Sequence, residues 1–266
     1  MTTLHTLASG SSGNALLVSC GQTHLLIDAG ISCRRIANSL QTLGLSLQDL
    51  TAILVTHTHS DHISGLQTML KKIAVPILST AAACNDLLYR LPASAAHLRS
   101  LPLCQGIPVG DCTVTAIPTS HDAPGSCGYR LDMQSGSIGV LTDTGYITEE
   151  AATLLPGIDL AVLESNHDPE ALDCGPYPYY LKQRVAGRYG HLSNGDAARF
   201  AVQLAQAGAS QIILAHLSHE NNSPAMAHYT TETALSAAGL TSQLSVAPRD
   251  HLSEAYILSG RTPCKK

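Results

Sequence analysis

The sequence predicts an α/β protein in four layers, helix–sheet–sheet–helix, built from two similar halves. Three observations predict it. TAILVT (51–56), DLAVLE (159–164) and QIILAH (211–216) are continuous apolar runs of strand length, as expected of strands covered on both faces. HLLIDAG (24–30) and IGVLTDTG (138–145) each read as an apolar strand ending in Asp-x-Gly, so one motif occurs twice. Segments with helix start and stop signals fall between the strands.

In chain order, the first strand candidate is 14–19, followed by 24–30, where Gly30 suits a tight turn just past Asp28. Ser32 can cap a helix stopped by Gly44. The apolar run at 51–56 leads into HISGLQTMLKK (62–72), read as a helix, and further strands are expected at 75–78, 112–118 and 138–145. Thr148 precedes Glu149 and Glu150, which places acids in a first helical turn, where they complement the helix dipole. After a strand at 159–163, Ser193 or Asn194 opens a helix that ends before Gly208. A strand at 211–215 follows, and Ser223-Pro224 opens a last helix ending before Gly239. No linker, low-complexity tract or long charge run interrupts this order, so residues 1–266 are expected to form one domain.

Composition narrows the function classes. Apolar residues make up 44% and charged residues 13%, which describes a globular chain and not a disordered or fibrous one. The apolar stretches are far too short to cross a bilayer. The start, MTTLHTLASGSSGN, has neither the basic beginning nor the apolar middle of a signal peptide. Cysteines at 20, 33, 84, 104, 112, 127, 174 and 264 form no C-x-x-C pair and read as buried free thiols, so a cytoplasmic protein is expected. A net charge of −5 gives no overall basic field for nucleic acid, so an anionic substrate would have to be drawn in locally. Thirteen histidines against fifteen Lys plus Arg is a high share, and it points to metal.

VTHTHSDHISG (55–65) concentrates that signal. Side chains two apart on an extended segment point the same way, so His57 and His59 can grip one ion from one side. Asp61 and His62 follow as the chain turns into a helix and face a different point, an arrangement suited to two metals about 3.5–4 Å apart bridged by a hydroxide.

The pattern H-x-H-x-D-H after a strand, preceded by a strand ending in Asp-x-Gly, resembles the metallo-β-lactamase superfamily. The resemblance implies that superfamily's αββα sandwich and two divalent ions. It also implies further ligands: His121 in IPTSHDAPGSCGYR, Asp143 in LTDTGY and His216 in IILAHLSHENN. His219 competes with His216, which is preferred because it directly follows the apolar strand, while His167 and His251 are not expected to be ligands. By the same resemblance His57, His59 and His121 hold one metal, Asp61, His62 and His216 hold the other, and Asp143 lies between them. Asp28 matches a carboxylate that supports the ligands without being one. With neutral imidazoles, two divalent ions, two carboxylates and a hydroxide leave about one positive charge, which attracts an anion. Nitrogen and oxygen ligands without thiolate suit zinc or manganese, with iron also possible.

Two further stretches point to phosphodiester chemistry. AVLESNHD puts Glu164 after a buried strand, and RYGHLSNGDAARF puts His191 just before a helix start. A carboxylate that orients a His beside a dimetal centre makes a general acid for an alkoxide leaving group. The pairing resembles the tRNA-maturing and other nuclease branches of the superfamily. Ser193 and Asn194, at the start of that helix, are candidates for holding an anion.

SGSSGN (9–14), GPYPYYLKQRVAGRYGHLSN (175–194) and HLSHENN (216–222) together resemble the YycJ/WalJ-like family of bacterial metallo-hydrolases, DNA exonucleases acting from 5′ ends. The likeness runs from about Leu4 to Leu258. Ser9, Ser11, Ser12 and Asn14 could hold a phosphate, and Tyr179, Lys182 and Arg184 combine an aromatic face with cations, which suits a stacked nucleotide and its backbone. No large insertion follows Asp143, so the extra domain of the β-CASP RNA-processing enzymes is missing.

The expected activity is therefore that of a dimetal phosphodiesterase, a 5′-to-3′ DNA exonuclease in which a metal-bridging hydroxide attacks phosphorus. Asp61, Asp143 and the metals orient that hydroxide, and His191, steered by Glu164, protonates the departing 3′-oxygen. A nucleic acid partner, DNA before RNA, and no membrane partner follow from it. The rival readings are a small-molecule hydrolase of esters, lactones or thioesters on the same scaffold, and a non-catalytic metal or ligand sensor.

Overall fold

The protein is described here over residues 1–258 of a computed structural model, so Cys264 lies outside the described residues. In chain order the strands are β1 (Thr2–Ala8), β2 (Ala15–Cys20), β3 (Thr23–Ile27), β4 (Ala52–Leu54), β5 (Ile77–Thr80), β6 (Leu98–Leu101) and β7 (Gly106–Val109). They continue with β8 (Cys112–Pro118), β9 (Cys127–Met133), β10 (Gly136–Leu141), β11 (Leu160–Glu164), β12 (Gln211–Ala215), β13 (Gln243–Val246) and β14 (Tyr256–Leu258). The helices are α1 (Cys33–Thr42), α2 (Ser60–Ile63), α3 (Leu66–Met69), α4 (Ala81–Arg90), α5 (Glu149–Leu154), α6 (Pro169–Cys174), α7 (Tyr179–Val185), α8 (Asn194–Gln206) and α9 (Pro224–Ala237).

Two seven-stranded sheets carry the fold, in the orders β14-β1-β2-β3-β4-β5-β6 and β7-β8-β9-β10-β11-β12-β13. From β14 and from β7 the pairings run alike, first antiparallel as far as β3 or β10 and then parallel to the far edge. The two similar halves are thus a repeat of topology, with β3 and β10 in equivalent places. The side-chain alternation of a strand explains the layers. In β3, Leu25 and Ile27 enter the core between the sheets, while Leu26 enters the outer core with Ile36 and Leu40 of α1. In β10, Ile138 and Val140 face the inner core, and Leu141 faces the other outer core with Phe200 and Leu204 of α8.

Caps follow the local chemistry. Ser32, Thr148, Ser193 and Ser223 each accept a backbone N–H of the helix they open, which satisfies one of its unpaired first-turn donors. The helix expected over 62–72 is instead two short ones, α2 and α3, that meet at Gly65. The chain bends there because Gly65 packs against the turn after β3: its N–H donates to Ala29 O at 2.8 Å, and a Cβ would stand 2.3 Å from Ile31 O. The expectation of buried thiols holds for Cys20, Cys33, Cys84, Cys112 and Cys127, whereas Cys104 and Cys174 are exposed.

Gly30 fixes the turn after β3 against α2. A Cβ on it would lie 1.6 Å from Asp61 O, whereas one on Gly44 would meet nothing within 4 Å. Gly30→Ala should therefore cost about 3 kcal/mol or more, and Gly44→Ala about 1 kcal/mol, from its left-handed φ alone. Urea unfolding of both variants checks this, and equal losses would contradict it.

Candidate metal centre

The site lies where strands end. Asp28 follows β3, His57 comes soon after β4, Asp143 follows β10, Glu164 ends β11 and His216 follows β12. These strands run parallel to their neighbours at these ends, so their carboxyl ends open on one side, the usual place for a site in such sheets. Asp28 (φ 61°), Asp143 (φ 57°) and His216 (φ 55°) all adopt the left-handed conformation. That conformation is costly for residues with a Cβ and is kept where the surroundings impose it. Each turns the chain sharply out of its strand and leaves its side chain at the rim.

His57, His59 and His121 each place a ring nitrogen within 4.8 Å of the others. Nε2 of His57 and Nε2 of His121 lie 3.1 and 3.2 Å from Nδ1 of His59, so the three nitrogens converge on one point. Asp61, His62 and His216 form a second group within the same limit, and Asp143 joins His57 and His62 in a third. Nε2 of His62 lies 3.4 Å from both Asp61 Oδ2 and Asp143 Oδ2. Asp143 Oδ2 and His216 Nε2 are buried without a hydrogen-bond partner among the described residues. Orphaned atoms of this kind inside a cluster of N and O donors fit a cation. His219 is exposed and bonds Glu220, His251 is exposed, and His167 is buried outside these groups.

The outer nitrogen of most of these rings is held by a partner, which fixes the nitrogen turned inward. His62 Nδ1 lies 2.7 Å from Asp28 Oδ2, while Asp28 also accepts the Thr56 N–H and hydroxyl at 2.8 Å each. His57 Nδ1 lies 3.1 Å from the Thr56 hydroxyl, and His121 Nδ1 lies 3.1 Å from Gly190 O. Glu164 is fully buried and saturated. Its Oε1 meets His191 Nδ1 at 2.8 Å and His216 Nδ1 at 2.9 Å, and its Oε2 accepts the N–H groups of Thr144 and Leu192. The pairing of Glu164 with His191 is present, and the further tie to His216 was not legible in the sequence.

Electrostatics follow from this packing. Burial opposes charge on His216, but Asp143, Asp61 and Glu164 overcome it and push its pKa up to about 10. Burial likewise opposes charge on His62, which Asp143 and Asp28 raise well above its ordinary value. His57 is held well below its ordinary value by burial and by the neighbouring imidazoles. Burial would raise Glu164, yet His191 and His216 keep it below the usual carboxylate range. The pocket thus gathers the carboxylates of Asp28, Asp61, Asp143 and Glu164 around His62 and His216.

The residues expected to touch substrate are placed differently, and four of them need correction. Ser9 is buried, and its hydroxyl accepts the His216 N–H at 2.9 Å. Asn14 is buried, closes the turn with Gly10 and reaches Asp61 and His62. Asn194 is buried with Ser165 and Asn222, and Ser193 is engaged as the α8 cap with Asp196. Ser9, Asn14 and Asn194 are thus buried and Ser193 half-buried, each engaged in hydrogen bonds within the protein. Ser11 and Ser12 are exposed at the tip of their turn. Tyr179 is exposed on α7, Lys182 donates to Asp173 O, and Arg184 pairs with Asp122 at 2.7 Å. Asp122 is a rim residue that sequence reasoning missed: its Oδ1 lies 3.6 Å from His59 Nε2 and 3.5 Å from His121 Nε2. Its position beside His121 was the available signal.

The family model described as Beta-lactamase superfamily domain matches residues 23–217. Exodeoxyribonuclease WalJ of Streptococcus pneumoniae is 35% identical over 239 residues, covering 88% of each chain. The chain belongs to the metallo-β-lactamase superfamily, in its WalJ/YycJ family. Exodeoxyribonuclease YycJ of Bacillus anthracis is 34% identical over 236 residues, covering 88% of this chain and 89% of that one. The metallo-β-lactamase fold protein YhfI of Bacillus subtilis superposes with a TM-score of 0.73 over 96% of this chain and 100% of its own, at 18% identity. The αββα fold of the superfamily is therefore the fold of this chain.

Asp28 is the cleanest probe of how the metallo-β-lactamase scaffold holds this cluster. Asn tolerates the left-handed backbone that Asp28 adopts, so Asp28→Asn should leave the fold intact while weakening the hold on His62. Metal affinity measured by calorimetry should fall about 10–100-fold. Unchanged affinity would show that His62 is positioned by something else.

Proposed function

We propose that the chain is a dimetal phosphodiesterase that degrades DNA from 5′ ends. The single observation that carries this reading is the sharing of Glu164 Oε1 between His216, in the donor cluster, and His191 beside it. That contact sets an imidazole with a partly exposed ring next to a metal centre, where a leaving alkoxide needs a proton. The relatives named exodeoxyribonucleases support the choice of DNA.

His57, His59 and His121 would hold one ion, Asp61, His62 and His216 the other, with Asp143 between them. Their nitrogen and oxygen donors suit zinc or manganese, with iron also compatible. When bound, a pair of such ions supplies Lewis acidity for phosphoryl oxygens and acidifies water near neutral pH. The remaining chemistry belongs to the side chains. Asp61, about one-fifth exposed, orients the attacking water through a carboxylate oxygen. His191 carries the proton for the departing 3′-oxygen on Nε2, because Glu164 occupies its Nδ1. Arg184, held by Asp122 at the rim, offers its guanidinium to a backbone phosphate. Ser11, Ser12 and Tyr179 remain exposed where a strand could pass. No described helix is long and apolar enough to cross a membrane. We place the enzyme in the cytoplasm as a single domain.

Manganese or zinc should support release of nucleotides from 5′-phosphorylated duplex DNA and cleavage of a bis-aryl phosphate. Activity confined to lactones or thioesters would replace this reading with that of a small-molecule hydrolase. His59→Ala should lose metal and activity together, whereas His191→Ala should keep its metal and lose about 10²–10⁴-fold in rate. Loss of metal from His191→Ala would overturn the division between ligand and acid.

A further inference from the structure

Of the five imidazoles assigned as donors, four have their outer nitrogen held at hydrogen-bond distance. His62 is held by Asp28 at 2.7 Å and His216 by Glu164 at 2.9 Å. His57 is held by the Thr56 hydroxyl and His121 by Gly190 O, each at 3.1 Å. His59 is the exception. It turns Nδ1 into the cluster, 3.1 Å from His57 Nε2 and 3.2 Å from His121 Nε2. Its outer Nε2 faces Asp122 Oδ1 at 3.6 Å, longer than a hydrogen bond, so the carboxylate acts on it through charge.

The positions of the ring protons say what that charge does. Gly190 O can only accept, so neutral His121 carries its proton on Nδ1 and turns a bare Nε2 inward. The Thr56 hydroxyl donates to Asp28 Oδ2, so its oxygen takes the His57 Nδ1 proton, and His57 Nε2 is bare as well. For His59 to offer Nδ1 as a third lone pair at this point, its proton must sit on Nε2, the side where Asp122 stands. A carboxylate there favours that tautomer, because the positive end of the N–H dipole then points at its charge. Asp122 also lies 3.5 Å from His121 Nε2, but that nitrogen has no proton to offer. Arg184 Nε donates to Asp122 Oδ2 at 2.7 Å, which leaves Oδ1 turned to the ring. The order of carboxylate, imidazole and inward nitrogen is the one that Asp28 makes with His62 and Glu164 with His216.

We propose that Asp122, tethered by Arg184, is a positioning residue for the first ion, selecting the His59 tautomer that presents Nδ1 beside His57 and His121. The inference rests on the dimetal reading of the site. It gives the first ion a carboxylate brace outside the cluster, as Asp28 and Glu164 brace the ligands of the second.

The test compares the full chain with its Asp122→Ala variant, a substitution at a side chain 34% exposed and therefore outside the core. Each protein, stripped of metal, is titrated with chelator-buffered zinc while the ring ¹⁵N signals of its histidines are followed. In the loaded wild-type protein His59 should bind zinc through Nδ1 and carry its proton on Nε2. In Asp122→Ala the signals of His57, His59 and His121 should reach their loaded positions at about tenfold higher free zinc. That is the low end of the loss on removing a ligand's outer partner, as suits a long contact. The signals of His62 and His216 should reach theirs at the wild-type concentration. Coordination of zinc by His59 Nε2 would overturn the proposal, and so would equal titrations of the two proteins. A loss shared equally by both groups of rings would overturn it too, since a general charge effect or a disturbed fold gives that result. These three outcomes leave the dimetal reading standing, whereas a wild-type chain that takes up no zinc would end both.

Discussion

Two buried carboxylates hold the site together. Asp28 and Glu164 lie at the ends of β3 and β11, cut off from water, and each is saturated by hydrogen bonds from backbone and imidazole, with the Thr56 hydroxyl added at Asp28. A buried charge so well partnered is stable, whereas removing a partner from such a group typically costs 3–5 kcal/mol. Their saturation is what lets His62, His216 and His191 stand at fixed angles in a crowded rim. Without them, neighbouring imidazoles and the carboxylates of Asp61 and Asp143 would find other partners.

The repeat of topology explains how one centre draws on both sheets. Asp28 and Asp143 occupy equivalent ends of β3 and β10, with nearly the same left-handed φ. Their roles have diverged. Asp28 is turned to His62 and Thr56, while Asp143 leaves an oxygen unpartnered in the cluster. His57, just past β4, and Glu164, the last residue of β11, sit at the ends of equivalent strands, one as a donor in the cluster and the other as the brace of two imidazoles.

What the sequence disclosed depended on how strongly each element is patterned. β4, β11 and β12 are buried apolar runs, and the polar residues just past them stood out against that background. β7 (GIPV) and β13 (QLSV) are partly exposed edge strands without such contrast, and β6 (LRSL) carries polar residues at exposed positions, so none was legible. α7 begins directly after Pro178 with no side-chain cap, so the usual helix-start signal is missing. In the site, the H-x-H-x-D-H stretch announced itself by density, whereas His121 and His216 became candidates only through the superfamily resemblance. Ser9, Asn14 and Asn194 looked available because small polar residues around glycine suit a phosphate. Their burial arises from contacts with His216, Asp61 and Ser165, residues far away in the chain, and local pattern carries no trace of such contacts.

The convergence of donors from both sheets makes the number of cations the quantity on which the account turns. Metal-free protein titrated with manganese or zinc, with bound ions counted per chain while end-labelled DNA is digested, tests it most directly. Two ions should bind, and hydrolysis should rise as the second fills. Full activity with a single ion, or a chain that binds none after careful reloading, would contradict it.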